Sequence, residues 1–173
     1  MLLILAQIIG CVAVGLYLLS YQLKKRVHIV FVTFVSNLFY VLQYLILGAF
    51  AGAVMDSLTT IASFLAVKKN HKNFKKYEKI ILIIVLFFVV IIGTAIAVNR
   101  QSWIELLPVA GTVFQVISMW CDNEQTLRKF ALCSVPLWLI YNILTNAYGA
   151  AIGSVFAIVS IIVSLVRYRK KSI

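Results

Sequence analysis

Long apolar runs separated by short polar ones fill the chain from end to end. A helix needs about 20 mostly apolar residues to cross the hydrocarbon core of a bilayer. Seven runs come close, over roughly 2–21, 28–47, 50–67, 79–98, 104–121, 129–146 and 148–166. The third and seventh are at the short end of that range and open on small residues. Lipid offers the backbone no hydrogen bonds, so a spanning segment is a helix or part of a closed barrel. Within these runs apolar residues are continuous, not alternating, which excludes the barrel. The β-branched stretch from Ile80 to Ile92 would be a poor helix in water, but internal hydrogen bonding overrides propensity in lipid. Only Gly48-Ala49 splits runs two and three, and only Asn146-Ala147 splits six and seven. Such tight turns predict antiparallel helical hairpins. The expected fold class is therefore all-α and integral to the membrane, with seven transmembrane helices.

Composition agrees with the pattern. The chain has 173 residues, 63% hydrophobic and 12% charged, where a soluble domain is about half apolar and about a quarter charged. The net charge of +11 invites a nucleic-acid reading. The location of the charges excludes it: Lys24-Lys25-Arg26, Lys68 to Lys79, Arg128-Lys129 and Arg167 to Lys171 lie between or after the apolar runs. Counted by side, basic residues divide fifteen to one, with Arg100 alone opposite the rest. The positive-inside rule then puts the N-terminus outside and the C-terminus in the cytoplasm. Basic loops of this kind also attract anionic lipid head groups. Met1-Leu2-Leu3-Ile4 lacks a basic leader and reads as a retained first helix. Cys11, Cys121 and Cys133 are too far apart for a metal site and are expected to be buried, reduced thiols. No metal or other cofactor is implied.

The two halves resemble each other when shifted by about 100 residues. Gly10 falls on Gly111, Ser20 on Cys121, Gln22 on Asn123, Phe39 on Trp138, Gln43 on Asn142 and Lys68 on Arg167. The shift drifts from 101 to 99 along these pairs. Each half reads as helix, polar loop, helix, tight turn, helix, basic end. Run four has no counterpart. This divides the chain into a first three-helix repeat (1–70), a basic loop with a linker helix (71–101) and a second three-helix repeat with a basic tail (102–173). Two parallel repeats starting on the same side need one extra crossing between them, and run four supplies it.

The stretches Ala6-Gln7-Ile8-Ile9-Gly10, Ser20-Tyr21-Gln22, Leu47-Gly48-Ala49 with Gly52-Ala53, Trp138 with Tyr141-Asn142, and Gly149 to Gly153 resemble the bacterial inner-membrane YgjV-like family. The resemblance implies a multi-pass protein of the bacterial cytoplasmic membrane. The 3+1+3 plan also looks like that of the SWEET and PQ-loop transporters, which use parallel repeats. Tyr21-Gln22 stands where those proteins carry Pro-Gln, and the second copy has Asp122-Asn123.

Candidate chemistry is sparse. Asp56 is the one acidic residue well inside an apolar run, and a charge there costs about 2.5–3.5 kcal/mol on insertion scales. It shares a helix face with Gly52, Thr59, Thr60 and Ser63. Its roles divide between substrate or proton work, structural hydrogen bonding and exposure at the interface. Asn37, Tyr40, Gln43 and Tyr44 on run two, and Trp138, Tyr141, Asn142 and Thr145 on run six, combine amides and aromatics that hold a polar solute. The alternatives are an interfacial aromatic belt and helix–helix bonding. Gln7 and Gln115 are expected to bond neighbouring helices. Pro136 interrupts run six. His28 and His71 lie at solvated edges. Gly149 and Gly153 form a close-packing face, either within the chain or between copies in a homo-oligomer. No catalytic motif is present and the loops are too short for a soluble active site, so the chain is not expected to be an enzyme. The leading expectation is a small-solute transporter or facilitator that works by alternating access. Its substrate-binding set would be Asn37, Tyr40, Gln43, Asp56, Trp138, Tyr141 and Asn142. The alternative is a non-transporting scaffold, receptor or lipid-binding protein.

Overall fold

The computed structural model describes residues 2–69, 71–144 and 148–169. The turn expected at Asn146-Ala147, Thr145, and the tail residues Lys170 and Lys171 lie outside the described residues. Seven long helices are present: α1 (Leu2–Gln22), α2 (Arg26–Leu47), α3 (Phe50–Lys68), α5 (Glu78–Asn99), α6 (Leu106–Trp120), α7 (Glu124–Leu144) and α8 (Tyr148–Arg167). A single turn, α4 (Lys72–Lys75), precedes α5, and a 3₁₀ turn, Trp103–Glu105, leads into α6. Each long helix lies in a span long and apolar enough to cross a membrane. No strand occurs among the described residues.

Six of the helices close a ring. α1 packs on α2, α2 on α3, α3 on α6, α6 on α7, α7 on α8, and α8 returns to α1. α5 stands outside the ring, against α3 and α6. It approaches α6 at Gly93, where an added Cβ would come within 2.4 Å of a Val109 methyl. Its other faces carry exposed Ile83, Phe87, Phe88 and Val98, an apolar surface suited to lipid.

The elements end where local chemistry ends them. Gly48 takes φ 70° after α2, a left-handed conformation that favours glycine, and the amides of Gly48 and Ala49 bond back to Leu45 and Tyr44 carbonyls. α7 begins a turn earlier than the expected 129. The Asn123 side chain accepts hydrogen bonds from the amides of Gln125 (2.8 Å) and Thr126 (3.3 Å) and caps the helix. Leu127, Arg128 and Ala131 then bury one face. Arg128 is therefore a buried helix residue, not a loop charge. The helix continues through Pro136 without a break. The cysteine expectation is corrected: all three are free, but Cys11 and Cys133 are exposed on the outer surface, where lipid would cover their apolar thiols.

The same bonds recur in the two halves. Ser36 donates to the Ala13 carbonyl at 2.8 Å, and Ser134 to the Gly111 carbonyl at 2.7 Å, each across 23 residues. Arg26, at the start of α2, reaches across to the end of α6 and donates to the carbonyls of Cys121 (2.7 Å) and Met119 (2.5 Å). Arg128, in α7, reaches back to the end of α1 and donates to the carbonyls of Leu23 (2.7 Å) and Tyr21 (3.3 Å). The serines match at a shift of 98, as do the carbonyls in both sets, and 98 is also the separation between Tyr17 and Gln115, which bond each other. The two arginines themselves stand 102 apart, so the bonds match at 98 in the serines and the accepting carbonyls but not in these donors. At a shift of 98 Trp138 pairs with Tyr40 and Asn142 with Tyr44, where the sequence comparison pairs them with Phe39 and Gln43.

Candidate functional site

The inside of the ring is divided along its length. Towards the end that carries the basic loops it is filled by Tyr21, Ile29, Val30, Ala62, Ala66, Val116, Met119, Leu127, Ala131 and Ile161. Towards the other end it opens into a cavity of about 70 Å³. A site for one water takes about 10–15 Å³ on this measure, so the space suits a handful of waters or a small solute.

All six ring helices line the cavity and α5 contributes nothing. Tyr17 comes from α1; Asn37, Tyr40 and Tyr44 from α2; Asp56 and Thr59 from α3. Gln115 comes from α6; Val135, Trp138 and Asn142 from α7; Ala150, Gly153, Ser154 and Ala157 from α8. Every lining residue of the first half has its counterpart, 98 positions on, in the lining of the second. Asp56 is thereby matched with Ser154, and Thr59 with Ala157.

The floor is a hydrogen-bonded trio. Tyr17 donates to Gln115 Oε1 at 3.3 Å, Gln115 Nε2 donates to the Tyr21 hydroxyl at 3.3 Å, and Tyr21 donates to Tyr17 at 3.0 Å. Gln115 therefore joins the first helices of the two halves. In the wall, Asn142 Nδ2 donates to Ser154 Oγ at 3.4 Å. The Asn37 side chain is 4% exposed, and its Nδ2 has no hydrogen-bond partner among the described residues. No hydrogen bond or ion pair reaches the Asp56 carboxylate among them either; only its backbone carbonyl is used, by Thr60 at 2.7 Å.

Of the seven residues singled out from the sequence, the cavity gathers Asn37, Tyr40, Asp56, Trp138 and Asn142. Gln43 and Tyr141 are buried but absent from its lining. The Gln43 amide packs on Gly10, where an added Cβ would meet its Nε2 at 2.2 Å. The Tyr141 hydroxyl donates to Glu105 Oε2 at 3.3 Å. Gly153 packs inside the chain, whereas Gly149 is exposed. A Cβ on Gly153 would lie 2.7 Å from a Val14 methyl, and one on Gly149 would lie 3.5 Å from Gln7 Oε1. Gly153 is therefore used in the α1–α8 seam, while Gly149 stays exposed at its edge.

Missed by the sequence reading are three buried cations at the basic end. Lys69 is 1% exposed; it bonds Glu78 Oε1 at 3.0 Å and Asp122 Oδ1 at 2.8 Å, and also donates to the Trp120 carbonyl. Arg26 adds the Ala66 carbonyl at 3.0 Å to its contacts on α6. Arg128 lies over the Tyr168 ring at 4.8 Å. These three serve the protein interior, which leaves Lys24, Lys25, Lys68, Lys75, Lys76, Lys79, Lys129, Arg167 and Arg169 exposed for any lipid head group. Asn123 ahead of Glu124 is the sequence signal that would have drawn Arg128 into a helix.

No curated protein and no solved structure matches the chain. The family model Imp-YgjV, described as bacterial inner membrane protein, matches residues 4–172. With that match covering nearly its whole length, the chain belongs to this family of bacterial inner membrane proteins.

Proposed function

We propose that the protein is a small-solute facilitator built from two parallel three-helix repeats with α5 as the linker. The carrying observation is the cavity between α1–α3 on one side and α6–α8 on the other, a largely apolar space into which Asn37, Asp56, Thr59, Gln115, Asn142 and Ser154 bring polar groups. A scaffold would need helices packed by aliphatic side chains, and would put the Gln43 and Asn142 amides to use bonding each other. Instead Gln43 packs on Gly10 and Asn142 faces the cavity. The bonds that recur at a shift of 98 support two equivalent units about a common axis. Residues that bond their own counterparts, as Tyr17 and Gln115 do, lie on such an axis.

In this reading the excess of basic residues marks the cytoplasmic end, with the N-terminus outside. The cavity then opens toward the outside, and the apolar core and the crossed arginines shut the cytoplasmic end. Rocking the halves about the Tyr17–Gln115 contact would exchange the two states, as in alternating access. The role is passage of a solute, not catalysis.

Cysteine labelling tests it. Cys11, Cys121 and Cys133 are replaced, and single cysteines are placed at Ser154 and Thr59 in the cavity and at Ile152 on the outer surface. A small water-borne thiol reagent applied to cells should modify the first two and spare the third. Unreactive cavity positions in folded protein would remove the wet cavity and this function with it.

A further inference from the structure

Within that facilitator reading, we infer that the cavity selects a small monovalent organic cation of the alkylammonium type. Asp56 is the sole Asp or Glu in the lining, and no Lys, Arg or His joins it. Its carboxylate meets no hydrogen-bond donor and no cation of the protein among the described residues. A bare charge at membrane depth is costly, and a cation carried in by the solute would supply the counter-charge that favours the Asp56 carboxylate. The rest of the wall fits a cation that is weakly hydrated. Tyr17, Tyr40 and Tyr44 from one half line it together with Trp138 from the other. Aromatic faces attract ammonium groups, Trp most of all, and groups of such rings recognise quaternary ammonium. Tyr40 and Tyr44 are stacked at 6.3 Å between centroids, so two rings act as one wall.

Calcium takes six to eight oxygen ligands and magnesium a near-ideal octahedron, and a wall of rings with one carboxyl supplies such a shell poorly. Anions meet no positive group here. The cavity volume of about 70 Å³ suits a small ammonium ion better than a sugar or a nucleoside. The free Asn37 Nδ2 donor accommodates a hydroxyl or carbonyl oxygen on the same solute.

The test is titration of the purified full chain in detergent, by calorimetry and thermal shift. The probes are tetramethylammonium, methylammonium and ethanolamine, with tert-butanol and glycerol as neutral counterparts and sodium chloride as the inorganic control. Tetramethylammonium has no N–H, so its binding reports charge and ring contact, not hydrogen bonding. The ammonium ions should bind at least about tenfold more tightly than the neutral solutes. Asp56→Asn and Trp138→Leu should each lose about tenfold or more while remaining monodisperse. Should Asp56→Asn fail to fold, Trp138→Leu and the charged-versus-neutral comparison on the unaltered chain still decide. Neutral solutes binding as well as ammonium, sodium alone stabilising the protein, or unchanged ammonium affinity in Asp56→Asn would each overturn the inference. In those cases cavity cysteines that still label would leave the facilitator reading standing; with no solute bound and no labelling, both fall.

Discussion

Replacing Arg26 by alanine strips hydrogen bonds from the carbonyls of Met119, Cys121 and Ala66 at once. Two of these sit at the end of α6, where no further turn of helix supplies amides. Bonds from a charged donor to buried acceptors are worth about 1.5–3 kcal/mol, so the variant should lose roughly 3 kcal/mol of stability. Arg100 offers the contrast. It is half-exposed and 4.0 Å from Glu105, an arrangement worth under about 1 kcal/mol, and Arg100→Ala should leave unfolding almost unchanged. Reversible unfolding in mixed detergent compares the two. Asp122 makes a statement about pH. Its hydrogen bond from Lys69 holds the carboxyl below the usual range. A depressed carboxylate contributes stability above the ordinary value, near about 3.9, and loses it as pH falls through the folded value. Thermal midpoints should therefore stay flat from neutral pH to about 5 and fall below about 4, by less in Asp122→Asn. The carboxylate is 78% exposed, so water screens the pair and the effect is small.

At the scale of the element, the weakest attachment in the fold is that of α5, which meets the ring mainly through α3 and α6. Gly93→Ala would drive a Cβ to 2.4 Å from a branched, stiff Val109 methyl, with a cost of about 1–3 kcal/mol for overpacking. Gly15→Ala meets nothing within 4 Å and should be neutral or slightly stabilising through helix propensity. The two alanines differ only in what they meet, so equal thermal midpoints would sink the account of α5 docking. Apolar run length revealed all seven helices, because lipid forces each run to satisfy its own backbone. It failed at the start of α7, where the first turn is polar on one side and buries Leu127, Arg128 and Ala131 on the other. The candidate site was legible where helical phase agreed with polarity. Asn37, Tyr40 and Tyr44 lie three and four residues apart and share a face, whereas Gln43 is turned by about 100° from Tyr44 and meets Gly10 instead. Arg26, Lys69 and Arg128 could not be told from loop charges, because their acceptors are mainly backbone carbonyls brought near by folding.

For the whole molecule, the two crossed arginines tie the halves together at the basic end, alongside Lys69 on Trp120 and Asp122 and Gln22 on Ser160. Each half extends one arginine to the closing carbonyls of the other's first helix, so both bonds sets must part if α1–α3 and α6–α8 are to separate there. Among the described residues no arginine or lysine joins α1–α3 to α6–α8 at the cavity end, where the halves meet around the cavity and along the α1–α8 seam. A doubly weakened chain, with Arg26→Gln and Arg128→Gln, keeps polar side chains of similar length but loses the charge that strengthens each bond. Population should shift toward a state open at the basic end, since each lost contact exists only while that end is shut. A cysteine at Thr59 reports it: in inverted membrane vesicles, a reagent supplied from the basic side should modify it several-fold faster in the double variant than in the parent. If its rate stays at the parental level while stability falls, the arginines hold the fold together without governing access, and the shut end is a permanent feature of the protein.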